Sequence, residues 1–291
     1  MTLLAHISDL HLGKHNPEIL ENIIDIVNEN DPDLLLLTGD IIESWSLDDY
    51  GETEKLFKKF NAEILPNPGN WDEKRGGEVI FRKHPYFLDK FKKYSVKTKT
   101  FGRMLSYPLF YEVDDIAFIA FDSTEADLSD GEVGLEQIIK AEKLLDGMDA
   151  KDMSMRILTM HHHLTSFPGL ASVSTVRDAG NVMRFAFKNG IDMVLGGHKH
   201  IPRADYVVGA NREKKANLAV VYAGTTSNLS RFFNPSFNFI EISGKKIEVK
   251  LNEFNSSKSK FSEKLMAKYL RIKSSEIELE YVRDVLMDYF L

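Results

Sequence analysis

The sequence predicts an α/β protein in which two mixed β-sheets pack together with helices outside. Two observations carry this. The first half alternates short apolar runs with helical patterns, and each run ends in polar residues. The later part adds apolar runs paired about tight turns, as hairpins require.

The elements follow in order. Leu3–Ser8 reads as a buried strand ending at Asp9-Leu10-His11-Leu12-Gly13. Pro17 opens a helix whose apolar positions Ile19, Leu20, Ile23, Ile24, Ile26 and Val27 recur at helical spacing, and Asp31-Pro32 stops it. Leu34–Thr38 is a continuous apolar strand, of the kind a sheet covered on both faces requires, ending at Gly39-Asp40. Glu52–Phe60 is a helix and Ala62–Leu65 a third strand, followed by the loop Pro66-Asn67-Pro68-Gly69-Asn70. Leu109–Val113 and Ile116–Phe121 form a hairpin around Asp114-Asp115. Helix Leu135–Leu145, strand Arg156–Met160, helix Thr175–Asn189 and strand Asp192–Leu195 come next, then Gly196-Gly197-His198. Tyr206–Val208, Leu218–Ala223 and a hairpin of Phe237–Ile242 with Ile247–Leu251 complete the β runs.

Composition shifts near Asn255–Lys260, so residues 1–252 are read as the domain and 253–291 as a helical tail. Phe261, Leu265, Tyr269 and Leu270 mark one tail helix with a basic face; Val282, Val285, Leu286 and Tyr289 mark a second with an acidic face. The tail is expected to pack back on the domain; the alternative is a partner or dimer helix, and so an oligomer.

The 43% hydrophobic content, with 19 Phe and 10 Tyr, fills a sizeable core. A net charge of −7 argues against a general nucleic-acid coating protein. With no cysteine, disulfides, thiol catalysis and Cys-ligated zinc are excluded, and any metal falls to Asp, Asn and His. Met1–Asp9 has no basic leader, and no segment reaches the ~20 apolar residues needed to span a bilayer. A cytoplasmic protein with no membrane partner is the expectation.

Chemistry concentrates at strand ends, the edge where open α/β sheets bind ligands. Asp9 and His11 alternate by two, so both can face one ion; Asp40 follows the next strand and can bridge two ions. Asn70 offers a neutral carbonyl oxygen, His161 opens the triple His161-His162-His163, and His198 and His200 are another pair two apart. Any one of these segments is ordinary. Five in this order, each after an apolar strand, point to a sulfur-free site for two ions about 3.5–4 Å apart.

The pattern resembles the calcineurin-like metallophosphoesterase superfamily. It appears here as Asp9-Leu10-His11, Gly39-Asp40-Ile41-Ile42-Glu43, Gly69-Asn70-Trp71-Asp72-Glu73, His161 and Gly197-His198-Lys199-His200. The resemblance covers roughly residues 1–252 and implies a four-layer α/β/β/α sandwich. It also implies a first metal held by Asp9, His11, Asp40 and His200, and a second by Asp40, Asn70, His161 and His198. His162 is the runner-up ligand, or a catalytic and substrate-binding residue; Asp72 is a support residue, and Lys199 either a support residue or a solvated side chain. The implied cofactors are two divalent ions, of which Mn, Fe, Zn and Ni all suit the ligands. The implied reaction is hydrolysis of a phosphate ester by a metal-bridging hydroxide.

Trp71 departs from the commonest family pattern, which carries a histidine that contacts phosphate and protonates the leaving oxygen. Indole is no general acid at neutral pH. Three accounts stay open. His15, His84 or His162 supplies the proton; or the leaving group is good and Trp71 stacks on a base or sugar; or the site binds phosphate without efficient turnover. Residues 74–99 interleave Arg75, Arg82, Lys83, Lys90, Lys92, Lys93 and Lys97 with Phe81, Tyr86, Phe87, Phe91 and Tyr94. They read first as an amphipathic helix with a buried aromatic face, and second as a clamp over an anionic substrate. The leading expectation is a phosphodiesterase on a small or nucleotide-type ester, with Asn70, Trp71 and His162 meeting the substrate. Alternatives are a phosphomonoesterase, a nuclease (nucleic acid being the less favoured partner) and a catalytically weak phosphate-binding or scaffold protein.

Overall fold

The structure, a computed structural model, describes residues 1–43, 47–72, 107–124, 130–147, 155–167, 175–211, 214–227, 233–274 and 276–285. Residues 74–99 and His84 lie outside them. Thirteen strands and four helices are described. In chain order they are β1 (Thr2–Ile7), α1 (Pro17–Asn30), β2 (Leu34–Thr38), α2 (Leu47–Phe57), β3 (Ile64–Asn67), β4 (Leu109–Val113), β5 (Ile116–Ala120), α3 (Leu135–Gly147), β6 (Met155–Thr159) and α4 (Ala179–Lys188), followed by β7 (Met193–Gly196), β8 (Arg203–Asn211), β9 (Lys214–Tyr222), β10 (Ser236–Ser243), β11 (Lys246–Asn255), β12 (Lys260–Lys273) and β13 (Glu276–Val282).

One sheet has seven strands in the order β13-β12-β11-β10-β1-β2-β3, and the other six in the order β4-β5-β6-β7-β9-β8. Both are mixed. β1, β2 and β3 pair in parallel while β10 to β13 are antiparallel; β5, β6, β7 and β9 pair in parallel with antiparallel β4 and β8 at the edges.

The strand period of two sorts the second sheet between two cores. Phe118, Ala120, Ile157, Met193, Leu195, Ala219 and Val221 face the first sheet and join its core. Their neighbours Ile119, Leu158, Val194 and Val220 face outward, onto Ile138 and Ala141 of α3 and Val182 and Phe185 of α4. Ile19, Leu20, Ile23, Ile24 and Val27 of α1 and Leu56 and Phe57 of α2 are buried with the first sheet. The layers are therefore α/β/β/α. Helix α1 starts where expected because Pro17 sits in its first turn and Asn16 Oδ1 accepts the Ile19 N–H at 3.2 Å.

One expectation fails. The tail is not helical where it is described: β12 and β13 extend the seven-stranded sheet, and β11 runs through residue 252, so no break falls at 252/253. Tail and second sheet are joined by the Tyr269 hydroxyl donating to Asp205 O at 3.0 Å and by Tyr206 Oη and Asn217 Nδ2 donating to Ile277 O at 2.8 and 3.0 Å. Among the described residues no helix is long and apolar enough to cross a membrane.

Candidate metal centre

The predicted ligands stand at the carboxyl ends of five strands. Asp9 and His11 follow β1, Asp40 follows β2 and Asn70 follows β3, three neighbours in the first sheet; His161 follows β6, and His198 and His200 follow β7, neighbours in the second. The loops after β1 and β2 run side by side: Asp9 N–H donates to Gly39 O at 2.9 Å, His11 N–H to Asp40 O at 3.0 Å and Leu12 N–H to Ile41 O at 2.8 Å. Eight described residues other than glycine have positive φ, and five are Asp9 (53°), His11 (48°), Asp40 (51°), His198 (79°) and His200 (62°). Each such backbone costs of order 1–3 kcal/mol, and strain of this kind gathers at functional sites. Here it turns successive side chains inward from the strand ends.

The turned side chains converge. Asp40 Oδ2 lies 3.4 Å from His161 Nε2 and 3.9 Å from His11 Nε2, a position between the two halves. On one side, Asp9 Oδ1 is 3.3 Å from His200 Nε2, and the His11 and His200 Nε2 atoms are 3.0 Å apart. On the other, His161 Nε2 lies 3.2 Å from His198 Nδ1 and 3.3 Å from Asn70 Oδ1. Donor atoms within 4.8 Å of one another form three overlapping groups: Asp9, His11 and His200; Asp9, Asp40 and His161; His161, His162 and His198.

Surrounding groups aim these donors. His161 Nδ1 is 2.6 Å from Thr38 O, which can only accept, so Nδ1 carries the proton and Nε2 faces inward. His11 Nδ1 lies 2.7 Å from Glu43 Oε2, whose other oxygen pairs with Lys14, and again Nε2 is left to the centre. Trp71 N–H donates to Asp40 Oδ1 at 2.9 Å and His198 N–H to Asp9 Oδ2 at 2.9 Å. Asp72 clasps two loops: Oδ1 accepts Ile41 and Ile42 N–H at 2.9 and 3.1 Å, and Oδ2 accepts Gly69 N–H at 2.8 Å.

Electrostatics follow from burial and from this crowding. Burial, then the Asp40 charge, pushes Asp72 up to about 7 against its backbone donors. Burial alone would depress His161, but the Asp40 and Asp9 carboxylates outweigh it and raise the ring to about 9. Burial opposes ionisation of Asp9, yet His200, His161 and His11 hold it below the usual carboxylate range. Burial and the neighbouring His161 drive His162 and His198 well below 6.5. Lys199 is half-buried and lowered by burial, against the pull of Asp130, Asp40 and Asp9.

Every donor in the cluster is oxygen or imidazole nitrogen, and the Asp and His donor atoms of each group lie within 4.8 Å of one another. Such a set fits a pair of divalent first-row ions. The histidine triple divides three ways. His161 meets Asp40, His162 is 2.9 Å through Nδ1 from Ser123 Oγ, and His163 stacks at 4.2 Å on Tyr222 and 4.7 Å on Phe167, lowered by burial to about 3. Trp71 is 36% exposed, edge-on to His11 at 6.2 Å, with Lys14 Nζ 5.9 Å from its ring centre. Half-buried His15 sits on the same loop, its Nδ1 accepting the Gly13 N–H at 3.2 Å. Sequence reasoning missed Ser123, Thr38 and His6, whose Nε2 is 3.0 Å from Thr38 Oγ1. A histidine inside the apolar run of β1 was the available sign for His6.

Residues 2–202 match the family model described as calcineurin-like phosphoesterase. The chain belongs to that family. No curated protein matches it. Among solved structures, a purple acid phosphatase from yellow lupin (Lupinus luteus) seeds is similar over 90% of this chain and 52% of its own, at 15% identity and a TM-score of 0.59. This chain thus spans about half of the lupin enzyme's length. A dimetal phosphatase from Danio rerio is similar over 86% of this chain and 95% of its own, at 10% identity and a TM-score of 0.57. GAP50, the anchor in the inner membrane complex of Plasmodium, is similar over 99% of this chain and 93% of its own, at 12% identity and 0.58. At these identities the likeness is one of fold.

Proposed function

We propose that the chain is a two-metal phosphoesterase acting on a phosphodiester with a weakly basic leaving group, of aryl or nucleotide type. The observation that carries the reading is Asp40 Oδ2 placed between His11 and His161, with Asp9 and His200 on one side and Asn70 and His198 on the other. Asp9, His11, Asp40 and His200 would hold one ion, and Asp40, Asn70, His161 and His198 the other. Bound there, divalent cations lower the pKa of water and offset charge on phosphoryl oxygens. The protein supplies aim: Thr38 O fixes the His161 tautomer, Trp71 N–H steadies the shared carboxylate, and Asp72 locks the loops that carry Asp40 and Asn70. The Trp71 side chain replaces the usual proton donor, which favours leaving groups that depart without protonation.

The test is reconstitution of metal-free protein with Mn²⁺, Ni²⁺ or Mg²⁺, followed by assays on bis-p-nitrophenyl phosphate and p-nitrophenyl phosphate. Metal-dependent turnover, faster on the diester, is expected, and Asp40→Asn should reduce it to background. Hydrolysis unaffected by Asp40→Asn would sink the reading. Metal uptake without hydrolysis of either ester would leave a phosphate-binding or scaffold role in its place.

A further inference from the structure

We propose that His162 is an additional ligand of the second ion, so that His161, His162 and His198 present three imidazoles there beside Asp40 and Asn70. The inference rests on the metal-centre reading above and not on turnover. His162 stands with its ring 4.4 Å from that of His198 and 4.9 Å from that of His161, and one donor nitrogen of each lies within 4.8 Å of the others. Nitrogens about 2.1 Å from one ion stand roughly 3–4.2 Å apart, so separations within 4.8 Å close onto one ion with shifts of up to about an ångström.

The ring is held as a ligand would be. Ser123 Oγ accepts the His162 backbone N–H at 3.1 Å and lies 2.9 Å from Nδ1. Its second lone pair can take an Nδ1–H, leaving the Nε2 lone pair for an ion, as metal-ligating histidines commonly arrange. Gly131, at φ +70°, walls the ring, because a Cβ there would overlap Nδ1 and Cε1 of His162. Nε2 is buried and has no hydrogen-bond partner among the described residues. Leaving a buried polar atom unpaired costs about 1–3 kcal/mol, which coordination removes. His163 makes the contrast: its ring is packed against Tyr222 and Phe167, with His198 further off at 6.1 Å. A third imidazole tilts this site toward Zn²⁺, Ni²⁺ and Co²⁺ over Mg²⁺ and Mn²⁺, while the other keeps two carboxylates, Asp9 and Asp40.

Two measurements test this on the full chain. Zn²⁺ titration of metal-free protein should give two steps; His162→Gln weakens one by about 10–100-fold and leaves the other within about twofold, and Ser123→Ala gives a smaller loss at the same step. X-ray absorption at the zinc edge of His11→Ala, loaded with one equivalent, should count three imidazoles and needs no change at His162. Two imidazoles in that spectrum, or unchanged zinc affinity in His162→Gln, would overturn the assignment. Loss of hydrolysis in His162→Gln at unchanged metal affinity would also overturn it, making His162 a substrate residue. Three imidazoles in a protein that hydrolyses no ester would uphold it while the function proposed above fails.

Discussion

Trp71 separates two properties that one residue usually serves. Its backbone N–H grips the shared carboxylate of Asp40, while its indole stands at the mouth beside His11 and Lys14. A Trp71→His variant keeps the first role and restores a proton donor. Esters with poor leaving groups should then gain up to about 10²–10⁴-fold in kcat, and p-nitrophenyl esters much less. Equal effects on both would remove the argument from the missing acid. His161 makes a second prediction, from its proton. Its ring, raised from 6.5 to about 9 in the metal-free site, is charged at neutral pH and must lose that proton to bind an ion. Metal affinity should therefore rise about tenfold per pH unit up to pH 9 and then flatten, with proton release seen by calorimetry in buffers of different ionisation heat. The metal-free fold shows the opposite trend. A raised pKa favours the folded state fully below 6.5, and that contribution is lost as pH climbs through 9. At this scale the donors were legible because residue type and spacing carry the chemistry. Ser123 and Thr38 were not, because each matters only through a histidine from a distant strand.

Among the elements, the loop after β3 is tightly fitted. A Cβ on Gly69 would overlap the backbone nitrogen and carboxylate of Asp40, so neither can yield without moving a donor. Gly69→Ala should cost about 1–3 kcal/mol or more by denaturant unfolding and reduce bound metal, since overpacking is relieved by backbone shifts. Unchanged metal content would show that the loop adapts. The strands that carry the donor residues were readable because continuous apolar runs such as Leu34–Thr38 mark a sheet covered on both faces. The tail was not. In β12, Lys250 pairs with Leu265 but Val249 with Ala267, so a bulge at Met266 breaks the alternation that identifies a strand. Lys264 and Lys268 look like charges on a helix face, yet they pair across strands with Glu253 and Glu248 at 2.7 and 2.5 Å.

For the whole molecule, the consequence of that tail is a bond between the sheets. Tyr269 is fully buried on β12, and its hydroxyl donates to Asp205 on β8 of the other sheet. Tyr269→Ala should lower unfolding free energy by about 3–5 kcal/mol while leaving metal stoichiometry intact, because it lies away from the donors. Loss of metal along with stability would mean the tail sets the spacing at the centre. The four-layer arrangement was legible as a class; the joining of tail to second sheet depends on pairs 60 or more residues apart, such as Tyr269 with Asp205, that no local pattern carries.

Each proposed ligand quartet takes donors from both sheets. Asp9, His11 and Asp40 meet His200 across the gap, and Asp40 and Asn70 meet His161 and His198. An ion held there would fasten the layers as well as serve the proposed reaction. Whatever binds the folded chain alone stabilises it by about 2.7 kcal/mol at a hundred times its dissociation constant. On the proposed reading, the durability of this protein is set partly by its surroundings: stripping the ions with a chelator should lower its unfolding free energy.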